Sequence, residues 1–210
     1  MISADREKTL YRKSVRNFLP DKNIPLTKGG DFTMNSNTKK WILAALFAAL
    51  SCAATMSIRI PTPGTGGYIH PGDAIVILSG VILGPVWGFL AAGIGSCLSD
   101  LLGGYFVYVP ITFLIKGLVA LCAGILYRRI AQPGCSRQRN AMAVAAGGIA
   151  DIVLVAGGYF LFEFILYGAG AAASIPANLI QGVSGLILSL LLYPVLACVP
   201  DVKRLLAANH

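Results

Sequence analysis

PITFLIKGLVALCAGILYR, residues 110–128, is the stretch on which the fold turns. It runs 19 residues with one charged side chain, Lys116, before the arginine at its end. A helix needs about 20 apolar residues to cross roughly 30 Å of hydrocarbon. The run has no alternation of apolar and polar positions, so a spanning helix is expected rather than a strand.

Runs of the same kind lie on both sides, near 40–59, 72–85, 87–103, 141–167 and 175–198, which makes six apolar segments in all. The second is short and is parted from the third only around Gly84 and Pro85. A tight helical hairpin is the simplest expectation there, and a re-entrant or buried half-span is the alternative. Composition agrees with a chain whose solvent is lipid. Hydrophobic residues make up 56% and charged residues 12%, and the mean hydropathy is +0.71, more apolar surface than a water-soluble core absorbs. Glycine fills 24 of 210 positions, which suits helices whose backbones approach closely. The expected fold is therefore an all-α integral membrane protein, a bundle of about six transmembrane helices. Residues 38–200 form its membrane domain, residues 1–37 a basic, disordered extension, and residues 201–210 a short cytoplasmic tail.

The formal net charge of +8 does not point to nucleic acid, because the basic residues stand outside the apolar runs and form no stripe with interleaved aromatics. They set orientation instead, since Lys and Arg gather on the cytoplasmic side. Lys39 and Lys40 precede the first run, Arg128, Arg129, Arg137 and Arg139 fill the fourth connection, and Lys203 and Arg204 follow the sixth. Connections 60–71, 104–109 and 168–174 hold no Lys or Arg, with Arg59 the one basic residue at that boundary. Both termini are thus expected in the cytoplasm, and the protein in the cell membrane.

With that orientation the costly polar side chains fall at one depth. Asp73 opens the second span and Asp100 closes the third, both on the outer side. Lys116 lies about 9 Å inward from the outer end of the fourth. Glu163 is near the outer end of the fifth, and Asn178 and Gln181 are in the first turns of the sixth. Ionisable groups in a span face a protein interior or a wet cavity. Tyr159, Glu163 and Tyr167 follow an i, i+4 row and Asn178 with Gln181 an i, i+3 row, so each set presents one face. Tyr68 and His70 in the first outer connection, and Tyr105 and Tyr108 in the second, are positioned to close over the shared space. Aromatic walls with a few hydrogen-bonding groups suit a small heterocycle. The plainer alternative is that Lys116 neutralises Asp100 or Glu163 and that the tyrosines form an interfacial belt; for His70, simple solvation competes with ligand contact. Asp151 breaks the pattern, being about ten residues from the inner end of the fifth run; a bond to a neighbouring helix or a contact with a partner are the alternatives.

On the first run, Ala44 with Ala48, and Ala45 with Ala49 and Ala53, make rows of small residues spaced by four. They permit close helix contact, either inside the bundle or with a docking subunit. The cysteines, Cys52, Cys97, Cys122, Cys135 and Cys198, make no C-x-x-C and have no histidine placed to complete a metal set, so they read as small apolar fillers and neither metal nor cofactor is expected. Gly182-Val183-Ser184-Gly185 matches the G-x-S-G of an intramembrane serine protease, but neither histidine is in a span to serve as base. There is no H-E-x-x-H and no G-x-x-x-x-G-K-[ST]. The chain is not read as an enzyme, and uphill transport would draw energy from partner subunits or an ion gradient.

Several pieces in order resemble a family. Gly67-Tyr68-Ile69-His70-Pro71-Gly72-Asp73-Ala74, Leu83-Gly84-Pro85-Val86-Trp87-Gly88, Gly95-Ser96-Cys97-Leu98-Ser99-Asp100-Leu101-Leu102-Gly103-Gly104-Tyr105 and Ile115-Lys116-Gly117-Leu118 are similar to the substrate-binding S components of energy-coupling factor (ECF) vitamin importers of the riboflavin type. Gly158-Tyr159-Phe160-Leu161-Phe162-Glu163 and Ile175-Pro176-Ala177-Asn178-Leu179-Ile180-Gln181-Gly182 extend the likeness, which covers roughly residues 38 to 198. The resemblance implies six helices, a high-affinity site toward the outer face, and docking of the alanine row to a transmembrane T component driven by two ATPase subunits. It also implies that the whole subunit topples in the membrane to release its ligand, which would be riboflavin, a pyridoxine-like compound or a hydroxymethylpyrimidine-like compound. His70-Pro71 departs from the small polar or apolar pair expected there. The alternative is a stand-alone secondary transporter or facilitator for a small heterocyclic solute.

Overall fold

The computed structural model describes residues 36–62, 66–132 and 134–208. Six helices make the bundle: α1 (Ser36–Ser57), α2 (Asp73–Leu83), α3 (Pro85–Gly103), α4 (Val109–Ile130), α5 (Arg137–Tyr167) and α6 (Ile175–Leu196). A short α7 (Pro200–Ala208) follows them. Strands β1 (Ile60–Pro61) and β2 (Tyr68–Ile69) pair antiparallel in the first outer connection, with Ile60 opposite Ile69 and Pro61 opposite Tyr68. A 3-10 segment, Gly168–Ser174, joins α5 to α6. Of the extension expected over residues 1–37, only Ser36 and Asn37 fall among the described residues, as the first residues of α1.

From Thr38, α1 is long and apolar enough to cross a membrane, as are α3, α4 and the continuous run Arg137–Leu196 that holds α5 and α6. Their outer surfaces carry large apolar side chains in the open, with Ile165 82% and Leu191 64% exposed. Water penalises such a surface and acyl chains do not.

Helix α2 settles the choice left open for the second segment. Its 11 residues reach about 16 Å, half of a bilayer core. Every residue of α2 except Ile75 is buried, because it packs against α1, α3, α4, α5, α6 and α7. It is the buried half-span rather than one arm of a membrane-crossing hairpin. Two glycines make this possible. A Cβ on Gly80 would stand 1.9 Å from the Ala120 carbonyl oxygen, so only hydrogen lets α2 and α4 cross so closely. Gly84 takes φ 86° and ψ 172°, a conformation open to glycine, and reverses the chain directly into Pro85 at the first turn of α3.

Of the tail expected over residues 201–210, residues 201–208 are described and lie in α7. Val202 and Leu205 of α7 are buried in the main core, while Asp201, Lys203 and Arg204 stay exposed. Lys39 at the start of α1 pairs with Asp201 at 3.9 Å. Through Val202 and Leu205, α7 adds apolar cover to a bundle whose central helix is too short to cross by itself.

Candidate functional site

Four separated parts of the chain converge on one cavity: the β1–β2 connection, the end of α3, the start of α4 and the α5–α6 corner. It is narrow and partly open, with about 20 Å³ open to a water-sized sphere, and Tyr68, His70, Asp100, Tyr108, Tyr159, Glu163, Asn178 and Gln181 line it. Thr62, Gly67 and Thr112 complete the lining. The sequence reading did not single these out, although Thr112 stands one helical turn before Lys116 and on its face.

Each polar wall is held by its own hydrogen bonds. Tyr68 donates its hydroxyl to Asp100 Oδ1 at 2.6 Å. Burial first, and then the Asp100 carboxylate, push the Tyr68 phenol above its ordinary range, so it remains a donor. Tyr108 donates to Glu163 Oε1 at 3.1 Å and Ser174 to Glu163 Oε2, which fixes the carboxylate of α5 against the start of α4 and the 3-10 segment. The hydroxyls of Thr112 and Tyr159 lie 3.0 Å apart. Gln181 accepts from the backbone N–H of His70 at 3.0 Å and donates to Asp73 Oδ2 at 2.8 Å. Asn178, 5% exposed, makes no hydrogen bond to a described residue, so its amide is free to meet a ligand.

His70 is buried, and burial lowers its pKa from 6.5 to about 3. Its Nδ1 accepts from the Gly72 N–H at 3.1 Å, which leaves Nε2 as the protonated nitrogen of a neutral ring. The unfolded chain takes up a proton near pH 6.5 that the folded chain refuses down to about pH 3, so stability rises with pH through that window and is lost as pH falls. Thermal unfolding between those limits should show the wild type losing more stability on acidification than His70→Gln. Parallel curves would contradict the buried neutral histidine.

Three expected members stand behind the wall instead of in it. Asp73 and Lys116 are fully buried and pair with each other, so the partner of Lys116 is Asp73 and neither Asp100 nor Glu163. Both helices bring them together at one depth, and Gln181 separates the pair from the cavity. Tyr105 stacks on Tyr68 with ring centroids 4.5 Å apart and does not reach the lining described for the cavity. Arg59, visible in the sequence only as the lone cation of the outer boundary, braces this stack: its guanidinium lies 4.9 Å from the Tyr68 ring centroid and donates to the Ser99 carbonyl at 2.9 Å.

The model of the family described as ECF-type riboflavin transporter, S component, matches residues 35–198. The chain belongs to this S-component family. The family is one of transporter substrate-binding components and not of enzymes, and this S component is a membrane protein of that kind. A Pyrococcus woesei protein is 34% identical to it over 135 residues, covering 64% of this chain and 85% of that one. The thiamine precursor transporter HmpT of Lactococcus lactis is 26% identical over 165 residues, covering 77% of this chain and 90% of that one. A solved S component of a bacterial ECF transporter shares the fold, with a TM-score of 0.56 and 22% identity over 77% of this chain and 96% of that one.

A second surface of this S component is an apolar groove between α1 and α3, lined by Trp41, Ala44, Ala45, Ala48, Ala49, Ala53, Trp87 and neighbouring aliphatics. The two alanine rows divide its labour. Ala44 is buried and Ala48 half-buried against the bundle, while Ala45, Ala49 and Ala53 are exposed. Trp41 and Trp87 close one end edge-to-face at 4.6 Å.

Proposed function

We propose that this S component captures a single-ring vitamin precursor in the cavity under Tyr68 and His70, and that a T component with two ATPase subunits energises its uptake across the plasma membrane. The observation that carries the reading is the convergence of Asp100, Glu163, Asn178 and Gln181 from three helices on one narrow space. Only about 20 Å³ of it is open to a water-sized sphere, far below the roughly 300–1,000 Å³ of ligand sites, so a ligand enters only as the lining gives way, and one heteroaromatic ring asks for less of that movement than a three-ring flavin. Asp100 and Glu163 accept hydrogen bonds, and no Lys or Arg is among the described lining residues, so a ring bearing amino or hydroxymethyl donors fits best. The name of HmpT supports the same class. The cavity faces outward and both termini lie in the cytoplasm, an orientation supported by Lys39, Lys40, Arg128, Arg129, Arg137, Arg139, Lys203 and Arg204 on one side.

Glu163→Gln and Asn178→Ala should each weaken ligand binding while leaving yield intact, because a lost buried hydrogen bond costs about 1–3 kcal/mol, or roughly five- to 150-fold in Kd. Calorimetric titration of candidate pyrimidines and pyridines reads this, and unchanged affinity in both variants removes the pocket. Radiolabelled uptake separates the importer subunit from a facilitator. Expressed alone, the protein should bind without accumulating solute, and accumulation without T component and ATPases would overturn the coupled reading.

A further inference from the structure

Two carboxylates face the cavity without a cation of their own. Asp100 is 4% and Glu163 2% exposed, and both line the space. The ion pairs among the described residues, Lys39–Asp201, Lys116–Asp73 and Arg204–Asp201, include neither of them. Their hydrogen-bond donors are neutral hydroxyls, Tyr68 on Asp100 and Tyr108 with Ser174 on Glu163. The histidine of the lining supplies no charge either. An Nδ1 that accepts from the Gly72 N–H carries no proton, which leaves the His70 ring neutral.

Two cations stand just outside the lining, and both are engaged. Lys116 Nζ lies 5.6 Å from the Tyr159 ring centroid but pairs with Asp73, and their charges cancel. The Arg59 guanidinium lies 4.9 Å from the Tyr68 ring centroid, donates to the Ser99 carbonyl and offsets one of the two free carboxylates. One negative charge is left over in a narrow site at the edge of lipid, where a buried charge is strongly unfavourable until a counter-charge joins it. The rest of the lining suits such a guest. Tyr68, Tyr108 and Tyr159 supply three aromatic rings, and the faces of such rings attract cations. Asn178, 5% exposed and hydrogen-bonded to no described residue, aims an unused amide into the same space, which marks the site as built for a ligand and not merely as a place where two acids meet.

We infer that the cavity selects a monocation, a heteroaromatic ring that carries one positive charge toward Asp100 and Glu163, lays its face on the tyrosines and offers a polar substituent to Asn178. The inference rests on the ligand-site reading above and narrows its substrate class. The same two acids reject an anion, so a ring that bears a phosphate or a carboxylate is excluded.

Calorimetric titration of the full chain in phosphatidylcholine nanodiscs, with empty nanodiscs as the blank, tests this with two probes of one shape. One is the N-methylpyridinium ion with a hydroxymethyl group meta to nitrogen; the other is meta-methylbenzyl alcohol, which has carbon in place of the charged nitrogen. The wild type should bind the cation roughly tenfold tighter or more, because hydrogen bonds and contacts to charged groups exceed neutral ones by that margin. Asp100→Asn and Glu163→Gln should each bring the ratio of the two affinities toward one, whereas Asn178→Ala should weaken both probes and keep the ratio. Equal affinity of the two probes for the wild type overturns the charge inference, and that comparison needs no variant to fold. A ratio unchanged in both carboxylate variants overturns it as well, as does saturable binding of sodium or calcium ions alone that blocks the pyridinium, since the charge would then belong to a bare inorganic ion. In these cases a weakening by Asn178→Ala leaves the cavity reading standing. Binding of neither probe removes the cavity reading and the charge inference together.

Discussion

Lys116→Met should destabilise the folded protein by about 3–5 kcal/mol, the cost of stranding a buried charge whose partner is removed. Both side chains of the Lys116–Asp73 pair are 0% exposed, so neither lipid headgroups nor water can step in for the missing ammonium. The effect passes beyond the pair, because Asp73 also accepts from Gln181, whose carbonyl holds the His70 backbone. Pairing Lys116→Met with Asp73→Asn removes the stranded charge and keeps an acceptor for Gln181, so the double variant should regain much of the loss. Thermal unfolding followed by size-exclusion in detergent measures both. Wild-type stability in Lys116→Met alone would mean that the pair is not the internal strut described here.

Ala45→Leu or Ala49→Leu should abolish uptake while leaving ligand binding at the wild-type level. These two alanines are exposed on the groove that runs from Trp41 and Trp87 along α1 and α3, on a different set of residues from those lining the cavity. A leucine there adds three carbons where a partner helix would need close approach. Overpacking costs about 1–3 kcal/mol, enough to weaken docking by roughly five- to 150-fold. Co-purification with T component and ATPases, beside a binding titration, reads the two effects independently. Full uptake in both variants would move the docking surface elsewhere; loss of binding together with uptake would show damage to the fold.

The parts of this architecture legible in the sequence are those governed by one-dimensional quantities. Run length and hydropathy locate α1, α3, α4, α5 and α6 because crossing hydrocarbon requires a continuous apolar helix. Depth also follows from counting residues, and it brings Asp73, Asp100, Lys116, Glu163, Asn178 and Gln181 to one level. Direction around each helix axis does not follow. Lys116 therefore has three carboxyls within its level and only the packed bundle assigns it to Asp73. The same limit hides Tyr105, whose ring lies behind Tyr68, and Asp151, which is buried with neither carboxyl oxygen hydrogen-bonded to a described residue, a property of the helices around α5 as much as of α5.

Short elements were hidden for a different reason. Helix α7 has nine residues, and its Val202, Leu205 and Leu206 spacing is helical only once a surface is known to receive it. Strands β1 and β2 have two residues each, below any periodic signal, and their pairing is what carries Tyr68 and His70 over the cavity. Half-span α2 left both its readings open because a run of buried residues has no polar face to give a period; burial on all sides by other helices is a tertiary fact.

Mass spectrometry of the small molecules released on denaturing the purified protein, compared between wild type and Asn178→Ala, tests the receptor cavity most directly. The account predicts a single-ring heteroaromatic compound in near-stoichiometric amount from the wild type and its depletion from Asn178→Ala at equal protein yield. Equal recovery from both proteins, or a bound compound that chemical cross-linking traps away from Tyr68, Glu163 and Gln181, would contradict it.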